Sequence, residues 1–129
     1  MERIDHIAFV IPNPQSVQLW EKILAQKPYY EEVLESQGVK VYSFQIGAVR
    51  IELMEPLSEV TADRQTLISG SAGVHHLAFY TENISEHVQR LREIGFEPLM
   101  DSPVPTGMGQ EGVLLRGADG LLIELVRFS

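Results

Sequence analysis

Asp5-His6-Ile7-Ala8-Phe9-Val10-Ile11-Pro12-Asn13 and His75-His76-Leu77-Ala78-Phe79-Tyr80-Thr81-Glu82-Asn83 are two versions of one pattern. The second histidine follows the first by 70 positions, from 6 to 76. Arg50-Ile51-Glu52-Leu53-Met54 recurs in the same way as Leu122-Ile123-Glu124-Leu125-Val126, with the glutamates at 52 and 124. Two motifs repeated in the same order at nearly the same offset indicate a duplicated module of roughly 55 residues. The repeat places the modules at about 1–56 and 74–129, joined by a polar, turn-rich connector at 57–73, within one domain of 129 residues.

Each module opens with a half-buried strand, the first over about 3–11. Asn13-Pro14 then reads as an N-cap and a first-turn proline. The helix after it carries Val17, Trp20, Ile23 and Leu24 as its apolar stripe. In the second module Asn83 caps, with Glu86 three residues on as a capping box. Ile84, Val88 and Leu91 form that stripe, and Gly95 is a stop signal. Further strands are expected at 29–35, 39–46 and 48–55, then at 97–100, 112–116 and 120–128. Asp101 to Glu111, with two prolines and two glycines, reads as a surface loop. The order is βαβββ twice, an α+β plan with helices on one face of each sheet.

Strand alternation sorts the polar residues. Ile7, Phe9 and Ile11 share the face that packs under a helix, which leaves His6 on the other face with Ala8 and Val10. The same parity turns His76 away from Leu77 and Phe79, Glu52 away from Ile51 and Leu53, and Glu124 away from Ile123 and Leu125. A carboxylate set between Ile and Leu in a strand is costly unless it is paired or bound to a metal. Two imidazoles and two carboxylates suit one divalent first-row ion, Co²⁺, Ni²⁺, Mn²⁺, Fe²⁺ or Zn²⁺, with the carboxylates balancing its charge. Against this stands the ordinary reading of a lone strand histidine as hydrogen-bonded and a lone strand glutamate as solvated; the repetition favours a shared site of His6, Glu52, His76 and Glu124.

Other polar residues have simpler readings. Arg50 shares a face with Glu52 and suits either a substrate carboxylate or an ion pair with a nearby acid. Arg116 and Lys40 suit phosphates or a solvated surface. His75 reads as structural, His87 as solvent-facing on its helix, Met54 and Met108 as pocket-lining or gap-filling, and Glu31 and Glu32 as a charged edge. With 18 acidic and 10 basic residues the net charge of −8 argues against a nucleic-acid partner. Without cysteine there is no disulfide framework and no thiolate metal site. No apolar run approaches the roughly 20 residues of a membrane span, and no apolar signal region precedes the first strand, so a cytoplasmic location is expected.

On Ile4-Asp5-His6-Ile7-Ala8, Ile51-Glu52-Leu53-Met54-Glu55-Pro56-Leu57, Gly73-Val74-His75-His76-Leu77-Ala78-Phe79 and Leu121-Leu122-Ile123-Glu124-Leu125, nearly the whole chain resembles the vicinal oxygen chelate superfamily. The resemblance implies tandem βαβββ modules forming a cupped, partly open mixed β-sheet barrel with helices outside. It places the family's metal ligands on His6, Glu52, His76 and Glu124. Within the superfamily, Gln37-Gly38-Val39-Lys40-Val41, Glu55-Pro56-Leu57 and His75-His76 are most similar to methylmalonyl-CoA epimerases. Leu115-Arg116-Gly117-Ala118-Asp119-Gly120 departs from them, standing where such epimerases carry a His-Pro-Lys-Ser-like, CoA-contacting segment. The ligand set is also similar to that of bacterial glyoxalase I.

What the resemblance implies is an enzyme that removes a proton beside a carbonyl through a metal-stabilised enediolate. Glu124 and Glu52 are its candidate bases, and Arg50 and Arg116 its candidate substrate contacts. The expected substrate is an acyl-CoA thioester. The alternatives are a lyase acting on a hemithioacetal, an extradiol-type dioxygenase, against which a fourth protein ligand counts, and a non-catalytic binding or resistance protein of the same fold. A homodimer is implied.

Overall fold

The computed structural model describes residues 1–57 and 73–129. Nearly all of the expected connector at 57–73 lies outside the described residues. The first module runs β1 (Arg3–Val10), α1 (Gln15–Leu24), β2 (Tyr30–Leu34), a 3-10 turn (Glu35–Gln37), β3 (Val39–Ile46) and β4 (Val49–Pro56). The second runs β5 (Gly73–Tyr80), α2 (Ile84–Glu93), β6 (Glu97–Pro98), β7 (Val104–Gly107), β8 (Gln110–Arg116) and β9 (Leu122–Phe128). Among the described residues no helix is long and apolar enough to cross a membrane.

The chain divides into two compact units that do not coincide with the two repeats. One is Met1–His6 with His76–Ser129, the other Ile7–His75. The division falls inside β1, because each half of that strand is bonded within a different unit. Its start belongs with β5, where the Glu2 N–H donates to the Tyr80 carbonyl at 2.9 Å; at its other end the Ile11 N–H donates to the Met54 carbonyl at 2.9 Å.

In the unit of Ile7–His75 the strand order is β2-β3-β4-β1, with β2–β3 and β3–β4 antiparallel. Ile11, Val17, Tyr42, Phe44 and Leu53 form the core under α1, with Phe9, Trp20, Leu24 and Ile51 against it. The Phe9 and Trp20 rings lie 4.7 Å apart. Ile23, placed on the stripe from sequence, is exposed. Six residues beyond Val17, at 100° each, it is turned about 120° away from it. On the sheet's other face Ala8, Val10, Leu34, Val39, Val41 and Met54 form a second apolar cluster, so Met54 fills the core.

The second unit contains β1-β5-β9-β8-β6, with β7 also paired to β8. The sheet is mixed, parallel between β5 and β9 and antiparallel between β9 and β8. Ile84, Leu91, Val113, Leu115 and Leu125 form the core under α2. The expected caps of α2 are present. The Asn83 side chain accepts from the Glu86 N–H at 3.2 Å and donates to the Glu86 carboxylate at 3.0 Å. Gly95, at φ +102°, ends the helix while Phe96 N–H reaches back to the Leu91 carbonyl. At α1 the cap position is Pro14 instead of Asn13, and a proline side chain offers no cap bond.

Two expectations in this region are corrected. Val104–Gly107 is a strand where a surface loop was expected, paired to β8 through the hairpin at Met108 and Gly109. The strand expected at 97–100 is only Glu97–Pro98. β6 and β7 act as one edge partner of β8, interrupted between them, and an edge tolerates Pro98, Pro103 and Pro105 because their missing N–H groups break no inner ladder.

Gly112 on β8 has no room for a side chain. A Cβ there would stand 2.8 Å from the Leu125 carbonyl oxygen and 2.9 Å from Val126 Cγ1. Gly112→Ala is expected to cost about 1–3 kcal/mol in urea unfolding. A loss under about 0.5 kcal/mol, the range of an unconstrained surface change, would contradict this packing.

Candidate metal centre

Three strands of one unit bring His6, His76 and Glu124 together. On β9, Ile123 and Leu125 pack toward α2, so alternation sends Glu124 to the opposite face. The parallel register sets it beside Ala78, two residues from His76 on the same face of β5. His6 Nε2 lies 3.3 Å from His76 Nε2 and 3.2 Å from Glu124 Oε1; His76 Nε2 to Glu124 Oε1 is 3.5 Å. All three side chains are buried, His6 to 1% exposure, and the two rings meet edge to face, their planes 75° apart.

Glu124 Oε1 is buried and accepts no well-aligned hydrogen bond, although two ring nitrogens lie within 3.5 Å of it. Three donor atoms converge on one small space. Donors bound about 2.0–2.2 Å from a single ion stand roughly 3 Å or slightly more from one another, and this triangle fits that spacing. Two imidazole nitrogens and a carboxylate oxygen are the donor chemistry of a divalent first-row metal. Burial by itself pushes the Glu124 carboxyl up. The nearby His76 and His6 imidazoles outweigh that and hold it well below the usual carboxylate range.

Around this trio lie residues that sequence reasoning did not single out. His6 Nδ1 donates to Asp5 Oδ2 at 2.7 Å. Gln110 Nε2 donates to the other oxygen, Asp5 Oδ1, at 3.1 Å, and an Arg3 guanidinium nitrogen stands 3.7 Å from it. Alternation puts Asp5 off the face of His6, so a period of two does not find it. Gln110 lies in a segment whose prolines and glycines suggest a loop.

Glu52 and Arg50 belong to the other unit, on β4. Arg50 donates to Glu52 Oε2 at 3.3 Å, both side chains 7% exposed, and Glu52 stands in register with Ser43 of β3. The ion pair weighed for Arg50 is thus formed. Arg116 ends β8 two residues past Leu114, which pairs with Glu124, so it shares Glu124's side of the sheet. Lys40 lies over the Tyr42 ring, 5.0 Å from its centre, with Tyr42 in the helix-side core. Tyr42 is pushed above the ordinary phenol range by burial and by its 2.7 Å bond to Glu55. His87 is partly exposed on α2, 3.4 Å from an Arg90 nitrogen. Met108 sits at the β7–β8 hairpin with φ +56°, and His75 is half-buried.

The sequence matches the family model of the Glyoxalase/Bleomycin resistance protein/Dioxygenase superfamily over residues 5–113. It is 30% identical to the uncharacterized protein YqjC of Bacillus subtilis, over 97% of this chain and 91% of that one. It is 28% identical to the mitochondrial methylmalonyl-CoA epimerase of Mus musculus, over 95% of this chain and 71% of the other. The fold superposes on a variant of Streptomyces coelicolor methylmalonyl-CoA epimerase in complex with 2-nitronate-propionyl-CoA. That match has a TM-score of 0.84 and 30% identity, and covers 100% of this chain and 99% of that chain.

The electrostatics of Glu124 predict an acid dependence. Its folded value lies below the ordinary 4.5, so its contribution to stability is fully present above that pH and is lost as pH falls toward the folded value. Urea unfolding of the chelator-treated protein between pH 5 and 3 should lose more free energy in the wild type than in Glu124→Gln, which has no carboxylate to protonate. Equal losses would contradict the assignment.

Proposed function

The chain belongs to the Glyoxalase/Bleomycin resistance protein/Dioxygenase superfamily, and from that premise we propose that it is a metal-dependent epimerase of the methylmalonyl-CoA epimerase type. The observation that carries the reading is the buried convergence of His6, His76 and Glu124. Similarity to methylmalonyl-CoA epimerases, by sequence and by fold, supports the substrate class. His6, His76 and Glu124 would hold one divalent ion, Co²⁺, Ni²⁺, Mn²⁺, Fe²⁺ or Zn²⁺. Such an ion supplies Lewis-acid stabilisation for the negative charge that builds on a thioester oxygen when the neighbouring carbon loses its proton.

The rest of the chemistry falls to side chains. A proton beside a thioester is a weak acid, so the group that takes it must be held within hydrogen-bond reach and already ionised. The Glu124 carboxylate is kept ionised by its two imidazole neighbours. Their pull also weakens it as a base, so its oxygen accepts the proton only as charge on the substrate is stabilised. Epimerisation takes a proton from one face and returns one to the other, which calls for a second acid. By its place in the sequence repeat Glu52 is that group, with Arg50 donating to its Oε2 at 3.3 Å. Arg116, on Glu124's side of the sheet, is assigned to an anionic part of the substrate.

The test is exchange of the C2 proton of methylmalonyl-CoA with solvent deuterium, followed by NMR, on chelator-treated protein before and after reloading with Co²⁺. The reading predicts exchange that depends on Co²⁺ and falls about 10²–10⁴-fold in Glu124→Gln. Stoichiometric Co²⁺ binding with no exchange would remove the acyl-CoA substrate and turn the reading to a hemithioacetal. Full exchange in a metal-loaded Glu124→Gln variant would overturn the role of that carboxylate.

A further inference from the structure

We infer that Asp5 is the positioning residue of the centre: through Nδ1 it fixes His6 in the tautomer whose Nε2 lone pair points at His76 and Glu124, with Gln110 holding the carboxylate in place. The inference rests on the metal-centre reading above. Asp5 and His6 are neighbours on β1, and Asp5 is buried, 7% exposed. A buried carboxylate is costly unless its oxygens are occupied, and both are. Oδ2 accepts from His6 Nδ1 at 2.7 Å, the short distance of a charge-assisted bond. Oδ1 accepts from Gln110 Nε2 at 3.1 Å and lies 3.7 Å from the Arg3 guanidinium. That guanidinium is itself held 4.1 Å over the Tyr80 ring.

The consequence is chemical. A neutral imidazole has one N–H and one lone pair, and which nitrogen carries the proton is set by the bond the other makes. A carboxylate accepts and cannot donate, so the bond at Nδ1 places the proton there. In the neutral ring Nε2 then carries the lone pair, 3.2 Å from Glu124 Oε1 and 3.3 Å from His76 Nε2; only the doubly protonated ring can donate to Glu124 from that atom. The opposite tautomer would put a hydrogen inside the triangle and block it as a donor set. A carboxylate behind a ligand histidine also makes the imidazole a stronger donor and locks the ring's orientation. Gln110, on β8 and 4% exposed, fixes the plane of the Asp5 carboxylate from the far side.

The test uses the full chain, isotope-labelled and free of metal at pH 8. Two-bond ¹H–¹⁵N correlations report each histidine tautomer, and Co²⁺ titration reports affinity. In the wild type His6 should carry its proton on Nδ1. Asp5→Ala should move it to Nε2 and weaken Co²⁺ binding about 10–100-fold. Gln110→Leu, which keeps Asp5, should weaken binding by a smaller factor, and Asp5→Asn stands in if Asp5→Ala does not fold. An Nε2–H tautomer in the wild type, or Co²⁺ affinity within twofold of wild type in the Asp5 variant, would overturn the inference. If the wild type shows the Nδ1–H tautomer, Asp5→Ala abolishes it, and neither binds Co²⁺, the metal reading fails while the Asp5 assignment stands.

Discussion

A carboxylate set into the middle of an apolar strand constrains this protein more than any other feature. Glu124 stands between Ile123 and Leu125 on β9, both turned to the core under α2, and alternation leaves its side chain no choice of face. Buried there, the charged form needs compensation of several kcal/mol. The groups placed to supply it are the imidazoles of His6 and His76 and the cation they would share with it, so both rings must be presented by neighbouring strands at matched heights. The parallel pairing of β5 with β9 satisfies this for His76, and the start of β1 does so for His6. The compact unit that joins Met1–His6 to His76–Ser129 collects all three.

Much of this was legible in the sequence, for a reason tied to particular residues. His6 and His76, like Glu52 and Glu124, share their strands with apolar residues at the other parity (Ile7 and Phe9, Leu77 and Phe79, Ile51 and Leu53, Ile123 and Leu125), so a period of two turns them to one side. The repeat then links positions that no local pattern could. The helix stripes of Val17, Trp20 and Leu24 and of Ile84, Val88 and Leu91 were equally plain.

What was not legible depends on register and on short edge structure. Asp5 lies at the wrong parity, and only three-dimensional placement shows its carboxylate curling onto the ring of the next residue. Gln110 begins a strand inside a segment whose prolines and glycines read as loop, because an interrupted edge partner needs few ladder bonds and tolerates proline. Ile23 is apolar and exposed, which composition cannot distinguish from a core position. The units are also invisible to the repeat, since β1 contributes its two ends to different hydrogen-bonding partners.

We propose that three converging donor atoms hold one metal ion. The direct measurement is anomalous diffraction at the cobalt edge from a crystal of the Co²⁺-loaded protein. The account predicts one anomalous peak about 2.0–2.2 Å from His6 Nε2, His76 Nε2 and Glu124 Oε1. A crystal of the Co²⁺-treated protein with no peak at these three atoms would contradict it.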